Sequence, residues 1–221
     1  MGPIRDRGGL SAHNTPTTRM KANTMSDDWN DYAEHWDTDS NARIYADLAF
    51  GSLLAQLDLN ACDWKDKRIL DFGCGTGLLA EKTAAYVNEL VATDTADKMI
   101  AVLKAKNIPN VRALCCDMLD TASPQEPALQ KGFDLIYASS VCSFLPDYQA
   151  AVRCLVQRLN PGGYFVQWDW QGAGSGDFGL SLQQIETCLS AAGLSALQVK
   201  PAFDIRSDAN TLPVLLGIGR L

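Results

Sequence analysis

The sequence predicts an α/β protein built on a doubly wound seven-stranded sheet, mostly parallel with one antiparallel edge strand, and with helices on both faces. Three observations carry this prediction. Five short apolar runs alternate with helical patterns between residues 68 and 168, which is typical of a parallel sheet covered on both faces. A glycine cluster, 73–77, directly follows the first run. The last two apolar runs, 197–203 and 212–218, are joined by a short polar link without a helix, which predicts an antiparallel pair.

Two helical patterns precede the first strand. Trp29, Tyr32, Ala33 and Trp36 recur at spacings of three and four, which predicts an amphipathic helix with an aromatic face. A second helical pattern covers residues 44–57.

Strands and helices then alternate to the end of the chain. Asn160-Pro161-Gly162-Gly163 predicts a turn before the fifth strand, and the glycine-rich stretch 172–179 predicts a surface loop. The helices are predicted at 77–87, 96–103, 148–159 and 181–192. The strands are predicted at 68–72, 90–93, 111–115, 133–138, 164–168, 197–203 and 212–218.

The composition predicts one domain. The chain has 221 residues, of which 47% are hydrophobic, and this is enough for one well-buried core of roughly 150–200 residues. Residues 1–24 lack an apolar period, so they are predicted to be a disordered N-terminal extension or a tag remnant. Residues 25–221 are predicted to form a single ligand-binding domain. The net charge of −7 disfavours binding to the phosphate backbone of nucleic acids.

The cysteines and histidines predict no metal site. The seven cysteines include no C-x-x-C pair, and the adjacent Cys115 and Cys116 have a poor geometry for a disulfide or a shared tetrahedral metal. The two histidines are His13 and His35, too few for a His-based cluster. The N-terminus lacks the apolar segment of a signal peptide, and no apolar run approaches the roughly 20 residues that span a bilayer. A cytoplasmic protein with reduced cysteines is therefore predicted.

The glycine cluster is the most informative stretch of the sequence. Gly73, Gly75 and Gly77 let the backbone approach a ligand closely, and the helix that follows offers free N–H groups at its N-terminus. Their G-x-G-x-G spacing differs from the dinucleotide fingerprint, which needs a sixth-position glycine where this chain has Leu78. Asp71 lies two residues before the first glycine. The alternative is that these glycines serve only the packing of the turn.

Two further acids follow neighbouring strands. Asp94 ends the second predicted strand, where an acid can accept both hydroxyls of a ribose, although it could instead be the N-cap of the next helix. Asp117 follows the third strand, where it could read an adenine edge with Met118 against the ring, or be a simple loop acid. The carboxyl ends of parallel strands meet at one edge of a sheet. The acids and the glycine cluster are therefore predicted to define one crevice at the topological switch point.

This combination resembles the class I methyltransferases that depend on S-adenosylmethionine (SAM). Residues 70–77, Leu-Asp-Phe-Gly-Cys-Gly-Thr-Gly, resemble the first motif of that family, and Asp94 and Asp117 match its ribose-side and adenine-side acids. Residues 133–136 resemble the fourth-strand motif, and residues 159–163 resemble the turn before the fifth strand. The nearest branch is the one that acts on small molecules, typified by the enzymes of ubiquinone and menaquinone biosynthesis.

The resemblance implies a Rossmann-like SAM-binding methyltransferase domain over residues 25–221, with N-terminal lid helices and SAM as its cofactor. In that family the glycines line the methionine part of SAM, the acid before them lies near its amino group, and the residue after the fourth strand lies close to the sulfonium. The helix around Tyr32 and Trp36 would act as a lid over cofactor and substrate. The cofactor-binding residues predicted in this way are Asp71, Gly73, Cys74, Gly75, Gly77, Asp94, Thr95, Asp117, Met118, Ser139, Tyr32 and Trp36.

The predicted reaction is transfer of the methyl group of SAM to a small-molecule acceptor by in-line displacement. Such a reaction mainly requires alignment of the reactants and exclusion of water, so the sequence need not contain a dedicated catalytic residue. Four residues are candidates for a catalytic role: His35, Tyr32, Cys142 and Asp169. For each of them a solvent-facing or packing role is an equal or stronger alternative. Trp168 and Trp170, which flank Asp169, could line an apolar acceptor pocket. The catalytic residue therefore stays unassigned.

Nucleic acid is not an expected partner. The Asn/Asp-Pro-Pro-Tyr type motif of many base N-methyltransferases is absent from residues 138–143, which read Ala-Ser-Ser-Val-Cys-Ser. A non-catalytic SAM-binding or partner-binding protein on the same fold is the alternative function, since fold does not fix function. A nicotinamide oxidoreductase is disfavoured by the glycine spacing. The sequence leaves the oligomeric state open.

Overall fold

The computed structural model describes residues 25–59, 62–120, 126–172, 178–206 and 211–221. Its helices are α1 (Met25–Trp36), α2 (Ser40–Gln56), α3 (Leu78–Thr83), α4 (Asp97–Ala105), α5 (Tyr148–Val156) and α6 (Leu182–Ala191). Its strands are β1 (Arg68–Phe72), β2 (Glu89–Asp94), β3 (Val111–Cys115), β4 (Phe133–Ser139), β5 (Leu159–Trp170), β6 (Ser195–Arg206) and β7 (Thr211–Arg220).

The seven strands form one sheet in the order β3-β2-β1-β4-β5-β7-β6. β1 pairs in parallel with β2 and β4, and the β2–β3 and β4–β5 pairs are parallel as well. β7 runs antiparallel to both of its neighbours, β5 and the edge strand β6. The predicted fold class is confirmed. The strand order reverses between β1 and β4, which puts the topological switch point at the carboxyl ends of those strands.

The central strands bury both of their faces. Ile69 of β1 enters an apolar layer shared with α2 and α3, and its neighbour Leu70 enters the opposite layer, shared with α5 and α6. Successive side chains of a strand point to opposite faces of the sheet. Burial on both faces explains why these strands read as continuous apolar runs rather than as alternating patterns.

The helix after the glycine cluster is shorter than predicted. α3 ends at Thr83, and the chain continues as a 3-10 turn over Ala84–Tyr86 instead of as helix to residue 87. The Thr83 hydroxyl lies 3.0 Å from the carbonyl oxygen of Leu79 and 3.3 Å from that of Ala80. Such bonds from a threonine back to the preceding turn weaken and bend a helix, which fits the early end of α3.

The turn predicted at residues 160–163 lies inside a strand. β5 begins at Leu159, and its pairing with β4 shifts register between Phe133 and Leu135. Gly162 donates its backbone N–H to the carbonyl oxygen of Leu221 at 3.0 Å, so hydrogen bonding across the sheet continues through this irregularity. The Pro-Gly-Gly signal therefore marks a bulge in the strand rather than its boundary.

Some predicted features lie outside the described residues. These are the N-terminal extension 1–24, the part 173–177 of the predicted surface loop, and the link 207–210 between the last two strands. In the described ranges, every helix is too short or too polar to cross a membrane.

Candidate active site

The glycine cluster forms a tight loop between β1 and α3. Gly73 and Cys74 both donate their backbone N–H groups to the carbonyl oxygen of Thr93, at 2.8 and 2.9 Å. Gly77 donates to the carbonyl oxygen of Cys74 at 2.9 Å and then caps α3 with a φ of 80°. The loop is thereby fixed against the end of β2, at the carboxyl edge of the sheet.

The three glycines of this loop have different surroundings. A Cβ atom at Gly73 would lie 2.5 Å from Cγ2 of Val141, and one at Gly77 would collide with the Leu103 side chain. At Gly75 the nearest atoms are the Trp36 Nε1 atom at 3.9 Å and the Met99 Sδ atom at 4.0 Å. The first and third glycines are therefore required by packing, whereas a side chain at the second would meet only ordinary van der Waals contacts.

Asp94 joins the end of β2 to the glycine loop. Its Oδ2 atom accepts the backbone N–H of Gly75 at 2.8 Å, and its Oδ1 atom accepts that of Ala96 at 2.9 Å. Burial raises the pKa of this carboxyl, although the amides of Ala96 and Gly75 oppose the rise. The N-cap position of α4 belongs to Ala96, so Asp94 is not the cap that its position in the sequence also allowed.

Asp71 is buried beside this loop with one carboxyl oxygen unused. Among the described residues, its Oδ2 atom has no hydrogen-bond partner. Burial, with a smaller contribution from the nearby Asp94, raises the pKa of Asp71 to about 8, against a hydrogen bond with Tyr137 that lowers it. A buried acid with a free acceptor is a place where a cationic group would be stabilised.

Helix α1 covers the glycine loop. Trp36 at its end approaches Gly75, and the Asp37 carboxylate accepts a hydrogen bond from the Thr76 hydroxyl and pairs with the Lys106 ammonium at 2.8 Å. Nearer its start, Asn30 accepts the backbone N–H of Lys98 at 3.0 Å, at the beginning of α4. The helix is thus attached on both sides of its aromatic face.

The predicted adenine-side residues divide between surface and core. Asp117 is exposed, and its Oδ1 atom accepts the backbone N–H of Leu119 at 2.9 Å. Met118 is buried, with its sulfur 3.2 Å from the Thr93 hydroxyl. Thr95 is exposed beyond β2. All of them lie near the carboxyl ends of β2 and β3.

Cys74 and Ser139 complete the predicted set along β1 and β4. The Cys74 side chain packs against the apolar layer shared with α2 and α3, and burial holds the pKa of its thiol well above the usual range. Ser139 ends β4, where it is half-buried opposite Trp168. Tyr32 on α1 is 40% exposed, and its ring lies 6.1 Å from that of Trp29.

The ends of β4 and β5 carry an aromatic cluster, formed by Trp29, Phe144, Trp170 and Phe178. The ring of Phe144 lies 5.5 Å from that of Trp29 and 5.2 Å from that of Phe178. Trp170 lies 6.5 Å from Phe178 and donates its Nε1–H to the Ser140 hydroxyl at 2.8 Å. Of the two tryptophans predicted to line an apolar pocket, Trp170 is part of this cluster, whereas Trp168 is fully buried in the core and donates its Nε1–H to the Ser52 hydroxyl at 3.0 Å.

Asp169 holds the chain segment next to Phe144 of this cluster. It is fully buried, and its two carboxyl oxygens accept the backbone N–H groups of Cys142 and Ser143, each at 3.0 Å. Burial raises its pKa to about 6, against those hydrogen bonds. Both oxygens hold the chain after β4, which favours a structural role over contact with an acceptor.

The other three groups weighed as catalytic residues are Tyr32, His35 and Cys142. His35 is exposed on α1, and Cys142 is buried with the pKa of its thiol well above the usual range because of burial. A buried thiol with a raised pKa is a poor nucleophile.

Several residues that shape the site have no signal in the sequence. Tyr137 lies inside an apolar strand, and its approach to Asp71 follows from the register of β1 with β4. The contact of Asp37 with Thr76 joins residues 39 positions apart. Such partners become visible only once the pairing of the elements is known.

The known proteins to which this chain is similar are methyltransferases. Residues 70–165 match a family model described as a methyltransferase domain. The chain is 30% identical over 99 residues to a ubiquinone biosynthesis O-methyltransferase of Idiomarina loihiensis, an alignment that covers 44% of this chain and 40% of that protein. It is 30% identical over 131 residues to a malonyl-[acyl-carrier protein] O-methyltransferase of Bacillus anthracis, covering 58% of this chain and 46% of the relative. The chain thus spans less than half the length of these curated relatives.

A solved structure extends the likeness over most of the fold. The N-methyltransferase NodS from Bradyrhizobium japonicum, in complex with S-adenosyl-L-homocysteine, is 20% identical and superposes with a TM-score of 0.65. The superposition covers 89% of this chain and 96% of that one. The resemblance predicted from the sequence is confirmed over residues 70–165, which match the methyltransferase domain family, and the solved structure shows that the same fold extends over most of the chain.

Proposed function

We propose that this protein transfers the methyl group of SAM to a small-molecule acceptor. One observation carries the proposal: the carboxylate of Asp94 lies 2.8 Å from the backbone nitrogen of Gly75. This contact brings the predicted ribose-binding acid and the predicted methionine-binding loop into one crevice at the topological switch point. The methyltransferase domain match over residues 70–165 supports the same reaction.

The site suits the cofactor in charge. The buried Oδ2 atom of Asp71, unpartnered among the described residues, fits an ammonium group, and Gly75 presents bare backbone to a ligand, with Trp36 Nε1 3.9 Å and Met99 Sδ 4.0 Å from where a Cβ would lie. Asp94 keeps acceptor capacity for sugar hydroxyls, because each carboxylate oxygen has two lone pairs and only one is used by an amide. Asp117 and Met118 flank the position that an adenine ring would take.

The remaining predicted residues complete the binding site in this proposal. The backbones of Gly73, Cys74 and Gly77 shape the loop, and Thr95 follows Asp94 at the end of β2. Ser139 lies at the end of β4, on the side facing the acceptor. The N-terminal helix with Tyr32 and Trp36 closes the site, and residues 25–221 act as a single domain.

The chain's own residues then have to orient the reactants and keep water away. SAM supplies, when bound, a methyl group on a positively charged sulfur that an acceptor atom can displace directly. Trp36 covers the glycine loop and the aromatic cluster walls the acceptor side, so both exclude water from the space between them. Good alignment can lower such a barrier by roughly 7–11 kcal/mol without a general base.

The acceptor in this proposal is a small molecule in the cytoplasm. The first curated relative is named as an O-methyltransferase of ubiquinone biosynthesis and the second as a malonyl-[acyl-carrier protein] O-methyltransferase. The net charge of −7 argues against a nucleic-acid substrate.

Calorimetry and a transfer assay test this function. We expect the protein to bind SAM and S-adenosyl-L-homocysteine (SAH) at micromolar concentrations and NAD not at all. Incubation with methyl-labelled SAM and fractionated small metabolites should release SAH and label one fraction. Binding of SAM without turnover of any fraction would favour the non-catalytic alternative, and failure to bind at sub-millimolar concentration would defeat both.

A further inference from the structure

Ser140, the residue directly after β4, is held in a strained conformation at the acceptor side of the site. Its φ is 60°, in the left-handed region that residues other than glycine rarely adopt. Its backbone N–H donates to the carbonyl oxygen of Trp168 at 2.8 Å, which continues the pairing of β4 with β5. Such strain persists only where the surrounding structure over-determines it, and strained residues cluster at functional sites.

The chain segment that follows Ser140 is fixed by its neighbours. Val141 lies against the glycine loop, because a Cβ atom at Gly73 would lie 2.5 Å from its Cγ2 atom. The next two backbone N–H groups, those of residues 142 and 143, donate to the Asp169 carboxyl, each at 3.0 Å. Contacts within the chain therefore place Ser140 between the glycine loop and the aromatic cluster.

The Ser140 hydroxyl keeps its hydrogen for a ligand. Its oxygen accepts the Nε1–H of Trp170 at 2.8 Å, and its own hydrogen has no acceptor among the described residues. Donation by the indole makes this hydroxyl a better donor, because hydrogen bonds in a chain polarise and strengthen one another. The residue is half-buried, so it is shielded from much of the solvent. Ser140 is thus a directed hydrogen-bond donor beside the aromatic cluster.

The surroundings of this donor are apolar or acidic. The ring of Trp170 lies 6.5 Å from that of Phe178 and 5.2 Å from that of Tyr45. The ionisable side chains that act on Tyr45 are Asp169 and Cys142, and neither can carry positive charge. A carboxylate or phosphate brought here would lose its hydration and meet an acid rather than a countercharge. An uncharged ligand would avoid that cost.

We propose that Ser140 determines the specificity of the acceptor site, by donating its hydroxyl hydrogen to an oxygen atom of an uncharged, apolar acceptor. The inference rests on the proposed function, in which the acceptor lies beside β4 and the cofactor beside β1 and β2. The bonded oxygen is a neighbour of the attacking atom, because a hydrogen bond to the attacking atom itself would occupy the lone pair that displaces the sulfur. The rings of the aromatic cluster contact the rest of the molecule.

Three ligands of one shape test this chemistry. Acetophenone, α-methylstyrene and benzoate are near isosteres that carry a carbonyl oxygen, a methylene group and a carboxylate, respectively. Titrated into the protein saturated with SAH, acetophenone should bind about two- to tenfold more tightly than α-methylstyrene, the range that one neutral hydrogen bond contributes. Benzoate should bind more weakly than acetophenone. Failure of acetophenone to bind, or equal binding of the three, would overturn the proposal.

The indole N–H signal of Trp170 in a two-dimensional NMR spectrum reports the contact directly. Its absence from the spectrum of Trp170→Phe identifies it. Acetophenone should move this signal further downfield than α-methylstyrene does, because the bond from Trp170 to Ser140 strengthens when Ser140 donates onward. The same shift with both ligands would show that Ser140 serves the fold alone and would overturn the proposal.

Ser140→Ala removes the donor, and Ser52→Ala is its matched control. Ser52 on α2 also accepts a tryptophan indole N–H, that of Trp168, at 3.0 Å. Ser140→Ala should bind acetophenone and α-methylstyrene equally, whereas the control should keep the wild-type preference. Ser140→Gly, which relieves the positive φ, should lose the preference as well but unfold at a higher temperature than Ser140→Ala. A preference that survives in either Ser140 variant, or disappears in the control, would refute the assignment.

The outcomes separate this inference from the proposed function. The affinity of Ser140→Ala for SAH should stay within about twofold of wild type, because the lost interaction is with the acceptor and not with the cofactor. Wild-type binding of SAH together with ligand preferences that do not depend on Ser140 would overturn this inference alone. A protein that prefers acetophenone through Ser140 but binds neither SAM nor SAH would overturn the proposed function and leave Ser140 as a binding residue for an uncharged ligand.

Discussion

The two sides of the sheet's carboxyl edge use their buried acids in opposite ways. Beside β1, one oxygen of Asp71 has no partner among the described residues, and at the end of β2 Asp94 accepts the backbone N–H of Gly75. Beside β4, both oxygens of Asp169 are taken by backbone amides of residues 142 and 143. The carboxyl oxygens beside β1 and β2 keep acceptor capacity for a polar ligand. The carboxyl oxygens of Asp169 are instead used by the backbone of the same chain.

This contrast indicates which part of a ligand each side of the site would bind. Free carboxyl oxygens favour a ligand that carries positive charge and hydroxyl groups. The aromatic cluster above Asp169 presents rings instead, and such a surface selects by shape and apolar contact. The charged part of a bound ligand therefore belongs beside β1 and β2, and an apolar part belongs beside β4 and β5.

Gly75→Val should have the largest effect on ligand binding beside β1 and β2. The valine side chain would fill the space against which the ligand lies, and we expect the affinity for SAM to fall by about a hundredfold or more, the cost of overpacking by about 3 kcal/mol. Gly193→Val is the control for backbone strain, because Gly193 also has a positive φ, 90°, whereas no described residue lies within 4 Å of a Cβ added there. Both variants should lose about 1–2 kcal/mol of stability to backbone strain. Equal SAM affinity in the two, by calorimetry, would mean that this loop is only structural.

Asp94→Ala should have the next largest effect. Loss of hydrogen bonds from sugar hydroxyls to a charged acceptor costs about 1.5–3 kcal/mol, so SAM should bind roughly 10- to 100-fold more weakly. Asp39→Ala is the control, since Asp39 likewise accepts two backbone amides, those of Asn41 and Ala42, at the start of α2. Thermal unfolding should show a loss of about 1 kcal/mol in each variant. A similar loss of SAM affinity in Asp39→Ala would contradict the ribose assignment.

The pH dependence of stability should distinguish the two buried acids. The folded protein binds a proton more tightly than the unfolded chain at both Asp169, with a pKa of about 6, and Asp71, with a pKa of about 8. Their contribution is therefore fully present below roughly pH 4 and is lost as the pH rises through the folded-state pKa. Relative to Asp169→Asn, the free energy of unfolding of the wild type should fall between pH 4 and 6. Relative to Asp71→Asn, the fall should continue to pH 8. Urea unfolding across this range checks both windows, and parallel curves for wild type and variants would refute the raised pKa values.

Phe178→Ala should have the smallest effect on the cofactor. Phe178 is 36% exposed and contacts the rings of Phe144 and Trp170 at the acceptor side. We expect SAM affinity within twofold of wild type and a stability loss of less than about 1.5 kcal/mol. Methyl transfer to the acceptor should instead show a raised KM. A large loss of SAM affinity in this variant would show that the two sides are not separate.

The parts of the fold that local patterns encode were predictable. Each strand from β1 to β5 is an apolar run, and the glycine loop is a contiguous motif, so both could be located by position alone. The bulge at the start of β5 was mistaken for a turn, because Pro-Gly-Gly signals a chain irregularity without saying whether the sheet continues through it. Whether the sheet continues depends on the pairing of β5 with the C-terminal strand β7.

The candidate site was predictable to the same extent as the fold. The positions of Asp71, Asp94 and the glycines along the chain follow from strand ends, whereas their partners do not. Whether an acid at the end of β5 faces a ligand or its own backbone depends on where residues 142 and 143 lie, and no periodicity encodes that. The roles of Tyr137 and Asp37 depend on contacts between distant elements in the same way.

The attachment of α1 has a consequence for how fast anything can enter or leave the crevice. The helix covers the glycine loop, and its Ala33 packs in an apolar cluster with Ala96 and Met99. Its polar contacts join Asn30 to α4 and Asp37 to Thr76 and Lys106. Lys106 also lies 3.3 Å from Glu81. Attractions between partly exposed charges weaken as added electrolyte screens them. Lifting the helix therefore becomes easier at high ionic strength, and the residence time of a trapped molecule should shorten as salt is added.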